Sequence, residues 1–185
     1  VNPRVLELFE AADIRGEGAT WHEENFVVWK YVGISPDEER GDELNDNNFT
    51  LYRLADIKLM KAEALAEQQQ FPQAEALINE IRTRRGLSEV TFDPTITSFQ
   101  DYILDERARE LAFEGKRWFD VLRIGKRNDY ERKELVINAL IMNAPAELIP
   151  SLRAKFQDPY SWYFPIHRSE LQVNTNLEQN PYYKK

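Results

Sequence analysis

Residues 106–123, ERARELAFEGKRWFDVLR, decide the fold. Half of these positions are charged, yet Leu111, Phe113, Trp118, Phe119 and Val121 are threaded among them. A solvated helix has no need of Trp118 and Phe119. An ordinary core helix does not carry Glu106, Glu110 and Glu114 at a strict four-residue spacing. On a helical wheel Phe99, Ile103, Glu106, Glu110 and Phe113 share one side, while Leu104, Ala108, Leu111 and Ala112 lie opposite. A helix apolar on two faces is buried between neighbours.

Two readings of the acidic row are open. In one, the carboxylates do chemistry. Di-iron bundles pair inward Glu residues with Glu-x-x-His, and no such motif exists here. A glycosidase-type carboxylate pair is possible in principle, but 32 acidic residues single out none. In the other reading the row is structural. Carboxylates beside Phe99, Ile103 and Phe113 are desolvated, which is costly unless they are paired. Arginine's planar fork can satisfy them, and Arg53, Arg82, Arg85, Arg107, Arg117 and Arg123 lie within reach along the chain. The second reading is the stronger.

Composition narrows the rest. The chain has 185 residues, 42% hydrophobic and 30% charged, with net charge −8, as a globular protein should. The acidic balance opposes a nucleic-acid partner, which needs a basic surface. No cysteine rules out a disulfide, a thiolate metal site and a thiol nucleophile. His22 and His167 are the only histidines, so a His-rich metal centre is excluded; neither a metal nor another cofactor is expected. No run of about eighteen apolar residues is present.

Along the chain, residues 1–49 read as an irregular, loop-rich leading segment. It holds a short helix from Pro3 to Ala12 and an extended WHEENFVVWKYVGI run at 21–34. The polar stretch 36–48 is a turn region, with oxygen ligands that could hold calcium. Helices are expected over 50–67, capped by Thr50 or Asn48, over 73–85 after Pro72 with Gly86 as its stop, and over 98–114. The first two resemble one tetratricopeptide unit, with Ala62 and Ala74 small enough for close crossing. A short fourth helix covers KRWFDVLRIGKR. Residues 50–128 are thus a helical core. Residues 129–185 are an irregular tail packing back on it, with an ambiguous ELVINALIMNAPAELIPSLR, an extended WYFPI, a short helix to Val173, and Tyr182 and Tyr183 docked on the body.

The quoted stretch resembles the signature of the SusD/RagB family, ER-x-x-EL-x-x-EG-x-R-x-x-D-L-x-R. Glu106, Arg107, Glu110, Leu111, Glu114, Gly115, Arg117, Asp120 and Arg123 fit it. YRLADIKLMKAEAL fits R-x-A-D-x-x-L-x-x-AEA through Arg53, Asp56 and Glu63. INEIRTRRGL fits through Asn79, Arg82 and Gly86, and FPIHRSELQVNTNLEQNPYY resembles the family's tail, with His167 for its proline and Tyr182 for its glycine. The resemblance implies a mostly α-helical, tetratricopeptide-like, SusD-like fold. It implies a non-enzymatic glycan-capturing lipoprotein on the outer face of the outer membrane, partnered by a SusC-like TonB-dependent transporter. The family is much longer, so this chain looks like its carboxy-terminal portion, with the lipid anchor elsewhere. The expected structural charge network is Arg53, Asp56, Arg82, Glu106, Arg107, Glu110, Glu114, Arg117, Asp120 and Arg123.

Sugars are gripped by stacking on exposed aromatics. The candidates for glycan contact are Trp21, Trp29, Tyr31, Tyr160 and Trp162. Trp162 in its polar DPYSW loop is the best exposed of them, whereas Trp118 and Phe119 are expected in the core.

Overall fold

The structure, a computed structural model, describes residues 7–16, 18–22, 27–31 and 50–184. The polar stretch 36–48, with Asn48 as a candidate cap, lies outside them, as do the first residues of the expected Pro3–Ala12 helix. Residues 7–12 form turns rather than a helix. The chain divides into two compact units, Val1–Asp120 and Val121–Lys185.

In the first unit, β1 (Trp21–His22) and β2 (Val27–Val28) pair antiparallel, Trp21 opposite Val28. Of the expected extended run at 21–34, the described residues thus form a short strand pair followed by a 3-10 turn at Trp29–Tyr31, and the rest lies outside them. Three helices follow: α1 (Leu54–Glu67), α2 (Phe71–Arg84) and α3 (Ile96–Glu110). α1 starts four residues later than expected, and no side chain caps it. Ala62, Ala66, Ala74, Ile78, Phe99 and Ile103 form the core of this trio, each at most 2% exposed. Alanine on both α1 and α2 lets the two backbones approach closely. Phe99 fills the remaining space, stacked on Phe71 (5.2 Å) and tilted against Phe92 (5.1 Å).

The turn after α2 shows why its sequence is as it is. Gly86 has φ +80°, the left-handed stop that glycine adopts without a Cβ penalty. Asn79 clasps the backbone of Val90 on both sides, donating from Nδ2 to its carbonyl (2.9 Å) and accepting its N–H (3.0 Å). Arg82 Nε donates to the Ser88 carbonyl (2.9 Å). The loop leading to α3 is thereby pinned to α2.

α3 ends at Glu110, not at Glu114. Thr95 caps its start, accepting from the Ser98 N–H, and Phe113 takes φ +63° beyond its end. Glu114 thus sits on a turn. Buried residues do cover both faces: Phe99, Ile103, Glu106 and Glu110 on one, Leu104 and Arg107 on the other.

The second unit holds the body of α4 (Arg117–Tyr130, helical until Arg127) with α5 (Lys133–Ile141), α6 (Ile149–Lys155) and α7 (Arg168–Val173). The ambiguous stretch is therefore helical. Its core is Val121, Ile124, Val136, Ile137 and Ile141. Phe119 departs from expectation, at 65% exposed. The inward positions of α4 are Asp120, Val121 and Ile124, and Phe119 falls off that face. The extended 163–166 run is held by Gln179, which accepts the Ile166 N–H and donates to its carbonyl, both at 2.9 Å. Asn180 caps the last 3-10 turn and donates to the Tyr160 carbonyl (2.9 Å). Tyr182 and Tyr183 are half-buried, and Lys155 lies over the Tyr182 ring.

Candidate functional site

Glu110 stands at the last position of α3, its side chain 1% exposed, among three arginines. Arg85 from the end of α2 grips it with two bonds, Nη2 to Oε1 (2.7 Å) and Nε to Oε2 (3.0 Å). Arg53, just before α1, donates Nη1 to Oε1 (2.5 Å), and Arg15 donates Nη1 to Oε2 (2.9 Å). Arg15 also bonds Glu106 Oε1 (2.7 Å) and holds Asp13 by both Nε (2.8 Å) and Nη2 (2.7 Å). Arg109 closes the other oxygen of Glu106 (2.8 Å). Glu114 accepts from Arg53 Nε (3.0 Å) and from Lys30. Each glutamate of the row is thus met by at least two cations.

The same groups finish α3. The last carbonyls of a helix have no partner inside it. Arg53 and Lys30 both donate to the Glu110 carbonyl, Lys30 to that of Ala112 (3.2 Å), and Tyr31 Oη to that of Phe113 (3.1 Å). The hairpin and its 3-10 turn carry Lys30 and Tyr31 to this end of the helix.

Electrostatics follow from the geometry. Burial alone would raise the Glu110 carboxyl, but the Arg85 and Arg53 guanidiniums outweigh it and hold its pKa at about 2. Arg15 feels burial against it too, yet Asp13 and Glu106 raise its pKa. For Lys30 burial prevails over Glu114, and its pKa is lowered.

A second cluster lies on the other face of α3. Arg107 Nη1 is 2.8 Å from Asp56 Oδ1, and Nε is 2.8 Å from Asp120 Oδ2. These contacts are too oblique for hydrogen bonds, so charge rather than aligned donation holds them. Lys116 adds its ammonium 3.5 Å from Asp56 and 4.4 Å from the Tyr52 ring centre.

Of the expected network, Arg53, Glu106, Glu110 and Glu114 come together in the first cluster, and Asp56, Arg107 and Asp120 in the second. Arg82 instead bonds Glu10 (3.0 Å), Tyr102 and the loop carbonyl of Ser88. Arg117 donates to the Leu104 carbonyl, and Arg123 is exposed in the second unit. Sequence reasoning missed Asp13, Arg15, Lys30 and Arg109. Arg15 and Lys30 reach α3 from 80 or more residues away, out of irregular segments that carry no periodic signal.

The aromatic candidates separate. Trp162 is 5% exposed, a correction to its expected prominence: its ring packs edge-on against Tyr130 and its Nε1 donates to the Phe156 carbonyl (2.8 Å). Trp21 is buried as well. Trp29 and Tyr31 are half-buried. Tyr160 is 55% exposed, and its neighbour along the chain Phe164, which sequence reasoning passed over, is 93% exposed. Among the described residues no group of acidic or histidine side chains could hold a metal, and no helix is long and apolar enough to cross a membrane.

A mostly α-helical fold with this signature helix defines a class, and comparison with known proteins gives it. The pattern of the SusD family matches residues 12–183, and the chain belongs to that family. It is 33% identical over 171 residues to SusD-like protein P38 of Formosa agariphila, covering 86% of this chain and 29% of that protein. A SusD superfamily protein of Bacteroides fragilis superposes with a TM-score of 0.73 at 23% identity, over 99% of this chain and 40% of that one. Surface glycan-binding protein A of Bacteroides uniformis superposes with a TM-score of 0.68 at 25% identity, over 97% of this chain and 40% of that one. The chain therefore spans less than a third of the length of the curated relative.

Proposed function

We propose that the protein is a non-catalytic glycan-binding component of a nutrient uptake system on the outer face of the outer membrane, passing oligosaccharide to a TonB-dependent transporter. Membership of the SusD family and likeness to a surface glycan-binding protein over nearly the whole chain support it. The placing of the signature glutamates is consistent with it: Glu106 and Glu110 are almost wholly buried and bonded to arginines, so neither faces a substrate from solvent. Sugar contact in this chain falls to Tyr160 with Phe164, exposed rings on a stretch made rigid by Gln179 and Asn180.

Titration of a panel of oligosaccharides by calorimetry tests the reading. Binding of at least one glycan, weakened in the Tyr160→Ala, Phe164→Ala double variant, is expected. No binding across the panel would sink it.

A second reading has an observation of its own. Leu51, Tyr52, Leu54 and Ile57 at the start of α1 are 48–68% exposed, an apolar strip of the kind that docks protein. The chain would then serve as a scaffold holding the transporter without touching sugar. Pull-down by the transporter that survives loss of glycan binding would favour it.

A further inference from the structure

A cavity of about 270 Å³ opens in the first unit between the start of α1 and the end of α2. Arg53, Leu54, Ala55 and Lys58 line it from α1, and Ile81, Arg84 and Arg85 from α2. Four of these seven residues are cations and none is an acid, in a chain whose net charge is −8. We propose that this cleft binds the anionic group, carboxylate or sulfate ester, of an acidic sugar.

The argument rests on unspent donors and unbalanced charge. Arg53 gives its donors to Glu110 and Glu114 and is consumed by the network behind the cleft. Arg85 spends Nε and Nη2 on Glu110, and among the described residues its Nη1 has no partner. Lys58 and Arg84 have one partner between them, Glu80, at the exposed edge of α2. Among the described residues, Arg84 Nε and Nη1 have no partner. Among the described residues, the ion pairs behind and beside the cleft join seven cations, Arg15, Lys30, Arg53, Lys58, Arg84, Arg85 and Arg109, to five carboxylates, Asp13, Glu80, Glu106, Glu110 and Glu114. The surplus over these pairs is positive, and four of the seven cations, Arg53, Lys58, Arg84 and Arg85, line the cleft.

Two further features suit an oxyanion. The first turn of α1 lines the cleft with no side chain capping it, so its N–H groups and the positive end of the helix add to the field. Glu80, a carboxylate, already bridges Lys58 and Arg84 (3.0 Å from Arg84) and demonstrates the chemistry these two cations accept. Its side chain is 37% exposed, at the solvent edge of the two cations. Leu54, Ala55 and Ile81 supply an apolar floor, as the C–H face of a sugar requires.

For the sugar part of the ligand the inference rests on the proposed glycan-binding function; the charged group is argued from the cleft alone. The test is calorimetry with glucuronate, glucose 6-sulfate, glucose and inorganic sulfate as probes at low and high salt. The wild type is compared with the Lys58→Gln, Arg84→Gln double variant, which spares the buried network, and with Tyr160→Ala, Phe164→Ala. Binding of glucuronate or glucose 6-sulfate but not glucose, weakened at least tenfold by the cation double variant and by 0.5 M salt, is the expected result. Whether one probe or both bind separates carboxylate from sulfate. Equal binding of glucose, binding of inorganic sulfate alone, or acid binding untouched by the cation variant overturns the inference. Neutral oligosaccharide binding lost only in the aromatic variant, with no acid binding, would overturn the cleft while leaving the glycan-binding function standing. Circular dichroism and the urea midpoint of each variant establish that it is folded.

Discussion

Glu110 shows what a single carboxylate can organise. It joins residues 15, 53 and 85 to the end of α3, and every one of those arginines is held partly by it. Such a buried pair adds little net stability by itself, because desolvation offsets attraction. Removing one partner is another matter, since the charges left behind stay buried. Glu110→Gln is expected to destabilise the fold by roughly 3–5 kcal/mol, read as a lower urea midpoint at unchanged slope. Arg153→Ala is the contrast. Its pair with Glu134 is short (2.5 Å) but about half exposed on both sides, so the loss should stay within about 1 kcal/mol. The pH dependence has a definite sign. The folded pKa of Glu110, about 2, lies below its ordinary 4.5. Its contribution is then fully present above about pH 4.5 and disappears as pH falls toward 2. Acid unfolding of the wild type should steepen in that window, and Glu110→Gln should flatten it. Identical acid limbs in the two proteins would remove Glu110 from the account.

At the scale of elements, two glycines carry the closest contacts. Gly125 in α4 faces α5, where an added Cβ would fall 2.3 Å from Val136 Cγ2. Gly125→Ala should therefore cost about 1–3 kcal/mol through overpacking, despite alanine's better helix propensity. Val136→Ala in the same chain should recover part of it, and a thermal melt of the three variants checks this. Gly86 is strained for another reason. Its φ is +80° and a Cβ would meet the Ala12 carbonyl at 3.0 Å, so Gly86→Ala should also lower the melting temperature. Gly86 was readable in the sequence because glycine after an amphipathic run is the usual helix stop. So were α1 and α2, whose apolar positions recur at three and four. The end of α3 was not. Its chain turns at Phe113, a residue with no preference for φ +63°, while the visible signal, Gly115, stands two residues later. α5 was ambiguous because VINALIM is apolar almost throughout and leaves no period to read. The carboxylates of the site were legible by their spacing, and so were Arg53 and Arg85. Arg15 and Lys30 were not, because only the tertiary fold brings an irregular segment to the end of a helix.

For the molecule as a whole, the charges divide into an inner set and an outer set, and the two answer salt differently. The inner set, Arg15, Glu106, Glu110, Arg107 and Asp56, is withdrawn from water and from mobile ions. The outer set is predominantly acidic, since the whole chain carries −8 and the inner set named, two cations and three carboxylates, accounts for only −1 of it. At 0.1 M salt exposed charges more than about 10 Å apart are largely screened, and buried ones are screened far less. Added salt should therefore leave the inner pairs intact and relieve repulsion among the outer acids. The urea midpoint at pH 7 is expected to stay level or rise slightly between 0.05 and 1 M sodium chloride, with a change in stability of no more than about 1 kcal/mol. A protein held together by surface pairs would lose stability over the same range. A marked fall would mean that water and ions reach Glu110 and its arginines, and the signature helix would then be an open charged surface rather than the cross-braced centre of the first unit.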